Sequence, residues 1–274
     1  MRFDIDAYQA HSGRVTWDDL DFSAFRDRPL SPDGLRCIQY MHDIEFHTVL
    51  YLRDLLVTRA QNDHRITTFL TIWNLEELYH GEALAAVLDA HGRPGGPGRV
   101  EPLRRRLGNA RHNASTLASM FGSWAFRDFT AVHMMWGAVN EWTAQAAYGR
   151  LSALEGHPVL TALLKRLMRQ EGRHVDFYAS EAAKRLEGNR RAQWLTRFAL
   201  GRYWAPVGSG VAPPDDVRFM VDHLFGGPEG EAVAQRIDRR IQRLPGLDRL
   251  SIVAEARAAN LLPPAPPIPL RAAA

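Results

Sequence analysis

Four long stretches of this chain read as amphipathic helices, and each carries ionisable residues inside the apolar stripe that must face a core. In the first, Ile38, Met41, Val49 and Leu52 enclose Glu45. In the second, Glu77 and His80 sit among Phe69, Trp73, Leu84 and Val87. The third sets Glu141 among Met134, Ala138, Tyr148 and Leu151, and the fourth sets Glu171 and His174 among Leu164, Leu167, Val175 and Tyr178. A buried carboxylate without a partner is costly enough to protonate or be excluded. Cations between the four carboxylates and two imidazoles reconcile such stripes with one core. The spacing brings the six together. Glu45 and Glu77 are 32 residues apart with Gln61 midway, and Glu141 and Glu171 are 30 apart with Gly156 midway. In antiparallel hairpins turning at those midpoints, each pair of glutamates lies side by side, about 24 Å from its turn at 1.5 Å per residue. Glu77 with His80, and Glu171 with His174, are i, i+3 pairs sharing a helix face. The pattern, Glu then Glu-x-x-His, therefore occurs twice.

The spacing predicts an all-α chain. Ser31-Pro32-Asp33 caps a first helix running to about Ala60, and Gln61-Asn62-Asp63 turns into a second that ends near Ala90. The run His91 to Gly98 is a turn, and residues 99–126 read as a crossover carrying one or two short helices. A third helix covers about 127–155, and a fourth follows Gly156-His157-Pro158 to about Leu186. Shorter helices are expected at about 189–204, 214–225, 229–243 and 248–260, then a Pro-rich extended tail from Leu261 to Ala274. With no linker in view, residues 1–274 read as a single domain: a four-helix core at about 31–187 and a helical C-terminal cap and tail at about 188–274.

The donor chemistry follows from what is missing. Cys37 is the single cysteine and reads as a small buried hydrophobe, so disulfides and multi-cysteine metal sites are excluded. Hard oxygen with imidazole suits iron or manganese better than structural zinc. A hydrophobic fraction of 46% is enough for a core without either kind of staple. The near balance of 34 basic and 31 acidic residues argues against a nucleic-acid binder, while leaving room for a local basic patch. The opening Met-Arg-Phe-Asp-Ile-Asp lacks a basic-then-apolar leader, and no apolar run reaches the roughly 18 residues of a membrane span. The expectation is a cytoplasmic protein.

A Glu on each of two helices with Glu-x-x-His on each of the other two resembles the ferritin-like di-iron carboxylate bundles, whose single long crossover matches residues 92–126. More closely, Trp73-Asn74-Leu75-Glu76-Glu77-Leu78-Tyr79-His80-Gly81-Glu82 resembles the W-x-x-E-E-x-x-H-G-D/E segment of the soluble acyl-carrier-protein desaturases. Gln170-Glu171-Gly172-Arg173-His174 is similar to that family's D-E-x-R-H segment, and the resemblance covers about residues 34–186. It implies two iron ions bridged by Glu77 and Glu171, with Glu45 and Glu141 binding one each and His80 and His174 adding one ligand apiece; manganese is compatible with one position. It also implies a homodimer, a ferredoxin-type reductant and a substrate acyl chain carried on an acidic acyl carrier protein. Two positions depart from the pattern. Ala144 stands where the desaturases carry Thr, with Thr143 on another face, and Gln170 stands where they carry Asp. These departures leave the ligands intact but open the choice between desaturation and other oxidations.

Three readings therefore compete: an acyl desaturase or oxidase, an oxygenase of a small molecule such as an amine or free fatty acid, and a non-enzymatic iron-binding bundle. Weaker signals attach to them. Trp73, Trp136, Trp142, Phe177 and Tyr178 either line a substrate tunnel or simply pack the core. Arg104, Arg105 and Arg106, with Arg185, Arg190 and Arg191, form either a basic rim for a carrier protein or a solvated surface. His42 and His47 point away from Glu45 and read as surface or outer groups, and His133 as a hydrogen-bonded core histidine or an extra ligand.

Overall fold

The computed structural model describes residues 3–261, without the side chains of residues 106–112. The expected tail therefore lies almost wholly outside the described residues, as does the side chain of Arg106. The described chain is all-helical and forms no β-strand. Two short helices come first, α1 (Ile5–His11) and α2 (Ala24–Asp27), neither of which the periodicity announces. The first long segment follows as α3 (Pro32–Glu45) and α4 (Thr48–Leu56), and a 3₁₀ turn at Arg59–Asn62 leads into α5 (His64–Ala90). Then come α6 (Pro97–Ala125), α7 (Phe129–Glu155) and α8 (Pro158–Leu186). The cap consists of α9 (Arg190–Tyr203), α10 (Pro214–Phe225), α11 (Gly227–Gln242) and α12 (Ile252–Asn260), close to their expected bounds.

Local chemistry sets the ends of the long helices. Ser31 accepts from Gly34 N–H with Pro32 at the first helical position, and Asp63 accepts from Arg65 and Ile66 N–H at the start of α5. Gly156, at φ +58°, closes α7 in the left-handed conformation, and Pro158 opens α8. Both turns fall at the midpoints that the spacing predicts. α7 packs on α8, α8 on α5, α5 on α3 and α3 on α7, so the four helices carrying the six ionisable residues close into a ring. The α7–α8 contact is tight where Gly137 faces Tyr178, since a Cβ there would come within 2.4 Å of the ring.

Two expectations need correction. The first helix is not continuous to Ala60: it breaks immediately after Glu45. The Phe46 ring sits in the space left by Gly81, whose Cβ would lie 2.6 Å from it. Outside partners take the freed carbonyls, Thr48 Oγ1 donating to Glu45 O at 2.7 Å and Arg104 donating to Phe46 O. The crossover, in turn, is one long helix rather than short ones. Pro102 falls in its early turns, and much of its described surface is exposed, so no apolar stripe was there to read.

The apolar core is in two parts. One gathers Phe69, Leu70, Met134, Met135, Phe177 and Tyr178. The other gathers Ile38, Leu84, Leu88, Leu151, Leu160 and Leu164, and Cys37 is buried in it as expected. The level of Glu45, Glu77, Glu141 and Glu171 lies between them along the helices. No helix among the described residues is long and apolar enough to cross a membrane. Gly137→Ala drives a methyl into the Tyr178 ring, so it should destabilise the fold by about 1–3 kcal/mol in urea unfolding monitored by circular dichroism. Unchanged stability would show that α7 and α8 can separate freely.

Candidate metal centre

All six sequence-predicted residues are buried and arrive at one level of the bundle. Glu45 is the last residue of α3, Glu77 and His80 lie in mid-α5, Glu141 in α7, and Glu171 and His174 in α8. Their donor atoms fall into two groups, each within 4.8 Å: Glu45, Glu77, His80 and Glu171, and Glu77, Glu141, Glu171 and His174. Glu77 and Glu171 belong to both groups. Each group could hold one cation, with these two carboxylates shared.

The imidazoles are held for that task. His80 Nε2–H donates to Gln170 Oε1 at 2.9 Å, and His174 Nε2–H donates to Glu76 Oε2 at 2.8 Å. Each ring therefore turns Nδ1 towards the carboxylates. His80 Nδ1 is 3.2 Å from Glu171 Oε1 and 3.5 Å from Glu77 Oε2. His174 Nδ1 is 3.1 Å from Glu77 Oε1 and 3.1 Å from Glu171 Oε2. Yet Glu77 Oε1, His80 Nδ1 and Glu171 Oε1 are buried without a hydrogen bond. Buried polar atoms aimed into a common space are what a metal site requires. The other two glutamates each receive one donor, Trp73 Nε1–H on Glu141 Oε1 at 2.9 Å and the Tyr148 hydroxyl on Glu45 Oε1.

Electrostatics among these groups favours protons on some of them. Burial would lower His80, but hydrogen bonds and charge from Glu171 and Glu77 outweigh it and push it to about 10. His174 is raised well above its ordinary value, with Glu171, Glu76 and Glu77 overcoming burial. Burial raises Glu45 well above the carboxylate range, reinforced by Glu77, and does the same to Glu141, reinforced by Glu171. Glu77 and Glu171 remain charged, because hydrogen bonding to the histidines and other partners offsets their burial.

Of the residues that orient the histidines, the sequence singles out Gln170, as a departure from the desaturase pattern, but not the role of Glu76. Glu76 is fully buried and accepts from Tyr8 Oη at 2.7 Å, Arg173 Nη2 at 2.6 Å and Gly13 N–H at 3.2 Å, besides His174. Gln170 Nε2 donates to Gly13 O at 2.9 Å while its oxygen takes His80. The N-terminal segment thus braces the partners of both histidines. A signal was available: Glu76 and Gln170 each immediately precede a shared glutamate, and each serves the histidine of the opposite helix.

The weaker candidates divide. His42 is buried rather than superficial and uses both nitrogens elsewhere, on Asp43 Oδ1 at 2.9 Å and Gly96 N–H at 2.8 Å. His47, also buried, has Nδ1 3.0 Å from Asp43 O. His133 stands outside both groups, and burial pushes it down to about 4; its Nε2 makes no hydrogen bond among the described residues, contrary to expectation. Of the arginines expected at a basic rim, Arg105, Arg190 and Arg191 are exposed, and two others are engaged within the fold. Arg104 serves Phe46 O, while Arg185 is held by Asp63 at 2.8 Å and by Glu181.

Two cavities adjoin the centre. One, of about 200 Å³, reaches Glu45, Glu77, Glu141 and Glu171 and is walled by Tyr51, Trp73 and Ala144. The second, of about 100 Å³, is almost wholly apolar and runs under the cap past Met220, Leu224 and Val253. Ile44, Glu45, Ala144 and Val207 line both. Of the five aromatic candidates only Trp73 faces these cavities; Trp142 lines a groove towards α11, and Trp136, Phe177 and Tyr178 pack in or against the core. Thr143 faces the apolar cavity but donates its hydroxyl to Asn140 O at 2.8 Å. No family model matches the chain, and comparison with curated proteins and with solved structures gives no significant match.

His80, His174, Glu45 and Glu141 are all shifted towards holding a proton, so a cation bound among them should displace protons. Ferrous or manganous titration of the apo-protein should release protons into weakly buffered solution, and affinity should rise with pH and fall on acidification. Uptake without proton release would refute the charge balance described. Tyr8→Phe removes one donor from Glu76 while leaving the ligands in place. We expect metal affinity to fall about 10- to 100-fold with the circular dichroism unchanged.

Proposed function

We propose that the chain is a di-metal, O2-dependent oxidoreductase of the ferritin-like kind that oxidises an apolar chain such as an acyl group. The observation that carries this reading is the pair of donor groups sharing Glu77 and Glu171, with an apolar cavity ending on Glu45. The ring of four helices and the long crossover α6 support the ferritin-like assignment. The carboxylate and imidazole donors fit iron, and manganese is compatible in one position. Glu45, Glu77, His80 and Glu171 would hold one ion, and Glu141, His174 and the two shared glutamates the other. The chemistry such a pair supplies is two-electron delivery to dioxygen and removal of hydrogen from an unactivated carbon.

This chain's own residues then set the conditions. Tyr148 fixes one oxygen of Glu45, and Trp73 one oxygen of Glu141. Gln170 and Glu76 hold the imidazoles in the ligating tautomer. Ile44, Ala144 and Val207 keep the space before the carboxylates dry and large enough for methylene groups. An apolar tail fits the arm lined by Met220, Val221, Leu224 and Val253.

Ala144 favours a second reading, an oxygenase or oxidase of a small molecule such as an amine or free fatty acid. The position that carries a hydroxyl in the desaturase pattern is here a methyl facing both cavities. Aerobic ferrous titration should give two equivalents per chain with oxygen uptake. Mass spectrometry of an oxidised acyl substrate then separates loss of two hydrogens from gain of one oxygen. Ala144→Phe should keep both metal equivalents while abolishing substrate oxidation, because the ring fills the junction of the cavities. Stoichiometric metal binding without oxygen uptake would leave only the iron-binding bundle.

A further inference from the structure

Exposed large hydrophobic side chains are unevenly distributed over the protein. Of thirteen among the described residues, eight lie in two neighbouring places: Leu117, Met120, Phe121, Trp124 and Phe126 at the end of α6, and Trp194, Phe198 and Tyr203 on α9. The two segments flank the start of α7, where Asn189 Nδ2 donates to Asp128 Oδ1 at 2.8 Å. The α9 face is ordered. The rings of Trp194 and Phe198 stack at 5.6 Å and 6°, and Tyr203 meets Phe198 edge-on at 6.0 Å. All three remain roughly half or more exposed, at 54%, 49% and 62%.

Charge separates the occupants such a face could take. Arg190, Arg191, Arg197 and Arg202 are all exposed on α9, and no Asp or Glu occurs from Asn189 to Gly210. Pairing α9 with itself in a second copy would set arginines against arginines, which is unfavourable. The occupant must be anionic, and it must also accept several exposed aromatic rings. Headgroups above an acyl boundary meet both conditions: interfacial aromatics sink to the boundary while arginines contact anionic lipid.

The face also leads to the cavities. Immediately after Tyr203 come Trp204, Pro206 and Val207, which line the apolar cavity. This loop is fastened by Trp204 Nε1–H to Asn140 Oδ1 at 3.1 Å and by the Tyr40 hydroxyl to Val207 O at 2.6 Å. We infer that α9 docks the protein peripherally on anionic bilayers, placing the loop that covers the apolar cavity next to a reservoir of apolar chains. The link to a substrate rests on the function proposed above; the docking itself does not.

Cosedimentation of the full chain with phosphatidylcholine vesicles, with and without phosphatidylglycerol, tests this. Binding should require phosphatidylglycerol and weaken as salt rises. Each of Arg191→Gln and Arg197→Gln should weaken it about fivefold. Trp194→Ser with Phe198→Ser should abolish it while circular dichroism and metal stoichiometry stay unchanged. Metal-free protein should bind equally well, so loss of oxidase activity and loss of docking are separate results. No binding at low salt overturns the proposal, as does binding that ignores the Trp194 and Phe198 substitutions. Tight binding of an acidic carrier protein through α9, with none to vesicles, overturns it in favour of a protein partner. Protection of Trp194 by self-association, lost on dilution, overturns it in favour of a second copy.

Discussion

Everything in this fold is arranged around the cost of keeping four carboxylates in one buried layer. Two imidazoles beside them are too few to balance the charge, even when both are protonated. Burial and neighbouring charge push Glu45 and Glu141 towards their neutral form and His80 and His174 towards their charged form, which eases the excess. The contacts within the layer stay loose all the same, with His80 Nδ1 3.2 Å from Glu171 Oε1 and 3.5 Å from Glu77 Oε2. Apolar cores lie above and below the layer, and a cavity of about 200 Å³ reaches its four carboxylates. The layer could hold cations, and the packing that makes it expensive without them would favour their binding.

The outer hydrogen bonds give the layer its geometry through cross-bracing. α5 supplies Glu76 to the histidine of α8, and α8 supplies Gln170 to the histidine of α5. A one-turn slip of one helix past the other would break both contacts, so register and tautomer are fixed together. The two braces differ in kind. Glu76 is an ionised carboxylate backed by Arg173, whereas Gln170 is a neutral amide, so His174 is the more basic donor of the two. The approximate two-fold pattern of the motifs is therefore broken one atom beyond the ligands.

The six candidate residues were legible because two independent periodicities agree on them, the i, i+3 spacing within a helix and the equal distances from each turn. The break at Phe46 was not. No Gly or Pro marks it, and the apolar stripe runs on through Val49 and Leu52; what ends the helix is the fit of Phe46 against Gly81, a contact 35 residues away in the chain. The length of α6 was hidden for the opposite reason, since an exposed helix carries no stripe and Pro102 reads as an interruption. Arginine clusters mislead for a third: Arg185 looks available in sequence but is spent on Asp63 and Glu181. Tyr8, on a seven-residue helix, has no local signal at all.

The brace from Tyr8 and Gly13 has a consequence for the order in which the protein can be made. This segment leaves the ribosome before any of the ligand helices, yet Gln170 and Arg173, which hold it down, lie on α8. Tyr8, Gly13 and the Phe3 carbonyl can meet Glu76 and Arg65 once α5 exists, but the contacts with Gln170 and Arg173 form only when α8 has closed the ring. A segment that precedes every one of these helices in the chain is therefore fully fastened only by the last of them, like a bolt tightened late on a centre assembled from almost the whole length of the bundle.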